Sequence, residues 1–270
     1  MSGSIETILL GINKPEDIQA SLLQGFKDVK TGRKKGLRLL LNHNEERHGV
    51  AGLTEEIGDP TRIRRRFTGG GTFYHLQTSE GYNPTGCYTL ILPDKNVSAR
   101  KDWGDHVIET IHNNHGVSND QHVFYEGDDL YVDIDGSRKQ VAGLSGGLFG
   151  DVRMHRACWY ETGFEDALRD STSFLQGDGE DVGAFYTKVQ PVKIPLVEYL
   201  GEVYGATHMD ASNYASPEMY ASDKEFQSGL EGRIKIGREF GFRAPTRLRP
   251  RKSCLTGAHL SPLDNNPSTF

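Results

Sequence analysis

One α/β domain of the α+β type, with a mixed, largely antiparallel sheet and helices packed outside it, is the fold the sequence predicts. Two observations lead there. Short apolar runs rich in β-branched residues alternate along the chain with amphipathic segments of helical period. In the middle, two strand-like runs flank Asp135-Gly136, a dipeptide that favours a tight hairpin. Hairpins argue against a doubly wound parallel sheet, which needs helical crossovers between its strands. The 270 residues would allow about two domains at roughly 150 residues each, but no long linker divides them. The expectation is one domain over residues 1–242, followed by a basic and then polar tail over residues 243–270.

The elements follow in order. Ile8 to Leu10 is a short apolar start, and Pro15 stands where a first helical turn tolerates it. Ile18, Leu22, Phe26 and Val29 then recur on one helical face, and the basic turn Gly32 to Gly36 ends the segment. Leu37 to Leu41 reads as a buried strand, residues 42–68 as loops marked by Gly49, Gly52, Gly58 and Pro60, and Tyr88 to Leu92 as another strand. Trp103, Val107, Ile111 and His115 predict a helix capped by Gly116. Asp129 to Ile134 and Arg138 to Gly143 form the hairpin, and Met154 to Tyr160 a further strand. Gly163 to Asp170 reads as a helix, Phe185 to Gln190 as a strand and Pro195 to Tyr204 as a helix. Ser222-Asp223-Lys224-Glu225 has the form of a capping box before Phe226, Leu230 and Ile234.

Composition narrows the function classes. A net charge of -6 argues against a protein built to neutralise a nucleic-acid backbone. The three cysteines, Cys87, Cys158 and Cys254, form no CxxC pair, so they suggest neither a cysteine zinc site nor a disulfide framework. No apolar run reaches the roughly 20 residues that span a membrane, and the first residues lack a signal-peptide pattern. A cytoplasmic protein acting without nucleic acid or membrane is expected. Glycine is the outlier, with 32 residues, or about 12%, against an ordinary ~7%. The surplus concentrates at Gly69 to Gly71 and Gly143 to Gly150.

The first of these clusters follows arginines, in Arg65-Arg66-Phe67-Thr68-Gly69-Gly70-Gly71-Thr72-Phe73-Tyr74-His75. Consecutive glycines permit close backbone approach and expose amides that suit an anion, and arginine brings planar donors for phosphate or carboxylate. These parts alone fit an anion-binding loop or a solvated turn equally well. The whole string resembles the RRx[ST]GGGxxxH signature of the lipoate-protein ligase and octanoyltransferase family, relatives of the biotin protein ligases. Glu126 to Asp133 with Arg138-Lys139-Gln140-Val141-Ala142-Gly143 is similar to that family's strand, turn and K[IV]xG strand. Met154 to Tyr160 stands where the family has an HHGTLL-like strand. The resemblance covers residues 37–190 and extends to the last helix; Leu76 departs from it where the family has an acidic residue.

The resemblance implies a biotin/lipoate ligase-like catalytic domain and a two-step reaction. Lipoate or octanoate is condensed with ATP to an acyl-adenylate, then passed to a lysine of a lipoyl-acceptor domain. Gly69, Gly70, Gly71, His75, Gly143 and His155 would line the acyl slot; Arg65, Arg66 and Asp129 would meet the nucleotide, with Asp129 also holding Mg²⁺. The family's lysine, a cationic clamp on developing charge, maps to Gln140, and Lys139 lies one residue earlier. Either a β-bulge after Gly136 returns Lys139 to the site as the catalytic residue, or the clamp is missing. ATP-independent relatives use a cysteine ahead of the hairpin, where this chain has His122-Val123-Phe124, so Cys87 and Cys158 read as buried structural thiols. The accessory domain common in single-chain ligases has no room after the last helix, which implies a separate accessory subunit or a preformed adenylate. An octanoyl or biotinyl transferase and a non-catalytic acyl- or acceptor-binding relative are the alternatives.

Overall fold

The computed structural model describes residues 5–93, 123–126 and 129–239. The helix expected around Trp103 to His115 and the tail over residues 243–270 lie outside them. Strands β1 (Glu6–Ile12), β2 (Leu37–His43), β6 (Thr85–Pro93), β7 (Val123–Glu126), β8 (Asp129–Ile134), β9 (Ser137–Phe149), β10 (Val152–Tyr160) and β11 (Thr207–Asp210) form an eight-stranded sheet in the order β11-β1-β2-β6-β10-β9-β8-β7. Within this sheet, among the described residues, only β1 pairs in parallel, with β11 and β2; the remaining neighbours are antiparallel. A smaller sheet, β4 (Ile63–Arg65), β3 (His48–Ala51) and β5 (Phe73–His75), stands beside it. This is the mixed, largely antiparallel sheet the hairpins predict.

Both faces of the large sheet are covered, which is why Leu39, Leu40 and Leu41 are apolar in succession rather than alternating with polar residues. On one face, helix α1 (Pro15–Lys30) sets Ile18, Leu22 and Phe26 against Leu37, Leu39 and Ile91. On the other, Leu196, Val197 and Leu200 of helix α5 (Leu196–Tyr204) pack on Leu40, Leu90 and Trp159. Arg38 points to that second face, its guanidinium 3.7 Å from the Tyr204 ring centroid and donating to the Tyr88 hydroxyl. A third cluster joins Tyr74 and Leu76 to Tyr160 and to helices α2 (Phe164–Asp170), α3 (Thr172–Gly177) and α4 (Val182–Lys188).

Local chemistry explains where the structure departs from the sequence expectations. Phe185 to Gln190 is not a strand: Asp181 accepts a bond from the Ala184 amide at 3.0 Å and starts helix α4, leaving only a bridge between Gln140 and Val189. Residues 42–68 hold β3 and β4, strands too short to show a period. The cap of the helix Lys224–Glu239 is Asp223 rather than Ser222, since the Asp223 carboxylate accepts from the Phe226 amide at 3.0 Å. The hairpin turn is as expected, with Asp135 and Gly136 at φ 50° and 75°.

Glu161, just beyond β10, ties the sheet to α5. One of its oxygens accepts from the Trp159 indole at 2.7 Å and from the Val197 amide at 3.1 Å. Burial raises its pKa from 4.5 to about 7, against the pull of those two donors. The folded state therefore holds a proton that the unfolded chain releases, so stability falls as pH rises from 4.5 towards 7. In urea unfolding across that range, wild type should lose up to about 3 kcal/mol relative to Glu161→Gln.

Candidate functional site

Where the two sheets meet lies a cavity of about 280 Å³. The small sheet supplies Val50 and the stretch Gly71 to His75, the large sheet Asp129, Gln140, Gly143 to Ser145, Arg156, Cys158 and Tyr160, and Phe185 and Val189 close one end. Its aromatic wall is Phe73 stacked on Tyr160, with centroids 4.8 Å apart, and the Tyr160 hydroxyl is fixed by donating to the Tyr74 carbonyl at 2.6 Å. Burial drives the Tyr160 pKa up, so the hydroxyl stays protonated.

The triple-glycine loop is shaped by Arg66 from within. Its guanidinium donates to the carbonyl oxygens of Val50 (2.8 Å), Gly69 (2.7 Å) and Gly71 (2.7 Å). Burial and the nearby Arg156 charge lower its pKa to about 10, which leaves it cationic at neutral pH. Gly70 has φ +93°, and a side chain there would meet the Arg66 guanidinium at 2.8 Å. A Cβ on Gly52 would lie 1.8 Å from the Gly70 carbonyl oxygen, so that loop accepts only glycine without moving. The second glycine cluster lies on β9, where the Gly69 amide approaches the Gly146 carbonyl at 3.4 Å and Thr68 and Ser145 hydroxyls meet at 3.2 Å.

Of the residues singled out from sequence, the cavity gathers Gly71, His75, Gly143, Arg66 and Asp129. Asp129 accepts from the Leu144 amide at 3.0 Å, which fixes its carboxylate on the wall. Gly69 and Gly70 form the loop behind. Arg65 is not brought in: it donates to the carbonyls of Gly52 and Leu53 at 3.2 and 2.6 Å.

Two placements differ from expectation. A bulge does interrupt the hairpin, but at Val141: Leu130 pairs with Ala142 while Tyr131 pairs with Gln140, leaving Val141 unmatched. Gln140 thereby reaches the cavity with Gly143, whereas Lys139 lines a separate groove with Glu161, Gln190 and Lys193. The second is on β10, where side chains alternate. Met154 and Cys158 pack towards α1, Ala157 and Trp159 towards α5, so His155 falls on the side away from the cavity and Arg156 takes the place expected for it.

Arg156 is the residue that sequence reasoning missed. It is 2% exposed, donates through Nη2 to the Cys87 sulfur at 3.3 Å, and its Nε has no hydrogen-bond partner among the described residues. Its signal was a lone cation in the otherwise apolar strand run Met154 to Tyr160. Cys87 and Cys158 face each other across β6 and β10, and both are buried free thiols. Burial opposes ionisation of Cys158, but a hydrogen bond from Cys87 and the Arg156 charge outweigh it and lower its pKa; burial raises that of Cys87. The thiols in turn keep Arg156 charged against the penalty of burial. The arrangement is a cavity with two buried cations and one aromatic wall, suited to an apolar chain that ends in an anion.

No protein-family model and no curated protein matches the chain. Solved structures do. The bi-partite lipoate protein ligase of Thermoplasma acidophilum, studied with its E2 lipoyl domain, is similar at a TM-score of 0.51 and 12% identity, over 84% of this chain and 98% of that one. A T. acidophilum lipoate protein ligase structure with bound lipoic acid gives 0.50 and 12%, over 83% and 98%. Lipoate-protein ligase A bound with ATP gives 0.50 and 15%, over 82% and 95%. The chain thus has the fold of the lipoate-protein ligases.

The loop geometry separates neighbouring glycines. Gly70→Ala is strained at its positive φ and should cost about 1–3 kcal/mol. Gly71→Ala, with nothing within 4 Å of its Cβ position, should stay within about 1 kcal/mol of wild type. Paired thermal melts check both.

Proposed function

We propose that this chain attaches lipoate, or octanoate, to a lysine of a lipoyl-acceptor domain, using ATP through an acyl-adenylate. The observation that carries the reading is Arg156. A buried guanidinium with an unspent N–H, on the wall of an aromatic-lined cavity, suits an anion that arrives with an apolar tail. The acyl chain lies along Phe73 and Tyr160, and its carboxylate meets Arg156. With about 280 Å³ the cavity suits one acyl chain rather than acyl chain and nucleotide together, so the nucleotide lies outside it, towards the glycine loop. The lipoic acid and ATP bound in the structural neighbours support these ligands.

In the first step the acyl carboxylate attacks the α-phosphorus and pyrophosphate leaves; in the second the acceptor amine attacks the acyl carbonyl and AMP leaves. Arg156 stabilises the charge that develops on both groups, the role the family resemblance gave to Lys139. Arg66, with its donors committed to loop carbonyls, contributes a fixed positive charge and the shape of the loop. Asp129 is the residue that would hold Mg²⁺, whose chemistry there is neutralisation of phosphate charge; one carboxylate with waters and phosphate oxygens is an ordinary set for that ion. No protein nucleophile is needed, and the rate comes from positioning and electrostatics. A separately encoded accessory subunit is part of the reading, supported by the bi-partite ligase. No helix among the described residues is long and apolar enough to cross a membrane, which suits a cytoplasmic place for the reaction.

Gln140 at the cavity, where the family has lysine, favours a second reading: a relative that binds the acyl group without chemistry. Incubation with ATP, lipoate and an acceptor domain, with and without an accessory protein, followed by intact mass, separates the two. The ligase reading expects a lipoyl mass gain on the acceptor; lipoate binding without any mass gain would leave the binding reading. Arg156→Ala should lower the transfer rate by about 10²–10³-fold, and Lys139→Ala should stay within about threefold of wild type. Cys158→Ser should still transfer; its failure, with a hydroxylamine-labile acyl group on the wild-type chain, would indicate a thioester route instead.

A further inference from the structure

Beside the cavity, and sharing His75 with its wall, four polar side chains are buried together: His43 at the end of β2, Glu45 after it, His48 on β3 and His75 on β5. Their exposures are 1%, 1%, 4% and 0%. One Glu45 oxygen lies 2.6 Å from His43 Nδ1 and 3.3 Å from His75 Nδ1. The His75 ring centroid is 4.4 Å from that of His43 and 4.5 Å from that of His48, the latter pair parallel. Ligand atoms of His43, Glu45 and His75 all lie within 4.8 Å of one another.

The cluster is chemically incomplete. His43 Nε2, Glu45 Oε2, His48 Nε2 and both ring nitrogens of His75 have no hydrogen-bond partner among the described residues. Buried polar groups are almost always paired, so five orphaned atoms in one place point to a missing partner that accepts lone pairs. His48 Nδ1 makes a 2.9 Å bond with the Glu46 carbonyl, the outer hydrogen bond that fixes a ring tautomer with Nε2 free.

We infer that His43, Glu45 and His75 bind a divalent first-row transition ion of the zinc type, with His48 packed against the His75 ring. Two imidazoles and a carboxylate are a zinc donor set, whereas Mg²⁺ and Ca²⁺ call for oxygen ligands. One carboxylate leaves the occupied site with a net positive charge, and Arg66 and Arg156 act on His75 from the cavity side. Their charge weakens the site; the missing hydrogen bonds favour it. The ion would clasp β2 of the large sheet to β5 of the small one, directly behind the glycine loop. This inference does not rest on the ligase reading, because the cluster would bind the ion whatever occupies the cavity.

The test uses the full chain, stripped with chelator, dialysed and titrated with Zn²⁺ or Co²⁺. One equivalent of zinc by elemental analysis, visible d–d absorption from cobalt in a low-coordination site, and a rise in melting temperature on zinc addition are expected. Glu45→Gln and His75→Asn should each lose the cobalt bands and the stoichiometric zinc, while Asp129→Asn retains both. Wild-type protein that keeps its circular dichroism but holds only substoichiometric metal would overturn the inference, whatever the variants do. Cobalt bands that persist in folded Glu45→Gln would overturn it as well.

Discussion

The Arg66 guanidinium, buried under the triple-glycine loop, is the interaction on which the site depends. Its bonds to the carbonyls of Val50, Gly69 and Gly71 join β3 of the small sheet to a loop that has no side chains of its own to hold it. A glycine run pays heavily in backbone entropy on folding, and a charge-assisted donor set is the kind of interaction strong enough to fix it. Once fixed, the loop sets the height of the cavity roof, and Gly143 to Ser145 on β9 close against it.

A second consequence is electrostatic. Arg66 and Arg156 are both buried at one cavity, and each raises the cost of the other's charge. The Cys87 and Cys158 thiols offset part of that cost, and an anionic ligand offsets more. In the proposed reaction these cations would act by position, being desolvated and oriented in the folded chain itself.

Much of this was legible in sequence. The RRx[ST]GGGxxxH resemblance located one wall, and the fold it implied is the one observed. The hairpin turn at Asp135-Gly136 followed from dipeptide chemistry alone. The side on which a strand residue lies was not legible, because one bulge reverses it: the shift at Val141 exchanged Gln140 for Lys139. Likewise, β10 carries His155 and Arg156 side by side, and only the packing of Met154 against α1 and Trp159 against α5 decides which faces the cavity. The cluster of His43, Glu45, His48 and His75 has no sequence signature, because His75 lies 27 residues beyond His48 and meets it only through the pairing of β3 with β5.

The central claim is that the acyl head group is held by Arg156 rather than by the lysine of the K[IV]xG strand. A crystal structure of the chain with a non-hydrolysable lipoyl-adenylate analogue tests it most directly. The account predicts the acyl chain along Phe73 and Tyr160, with a carbonyl or phosphate oxygen within hydrogen-bonding distance of the Arg156 guanidinium. An analogue seated instead in the groove beside Lys139 and Glu161, with the cavity behind the glycine loop left empty, would contradict it.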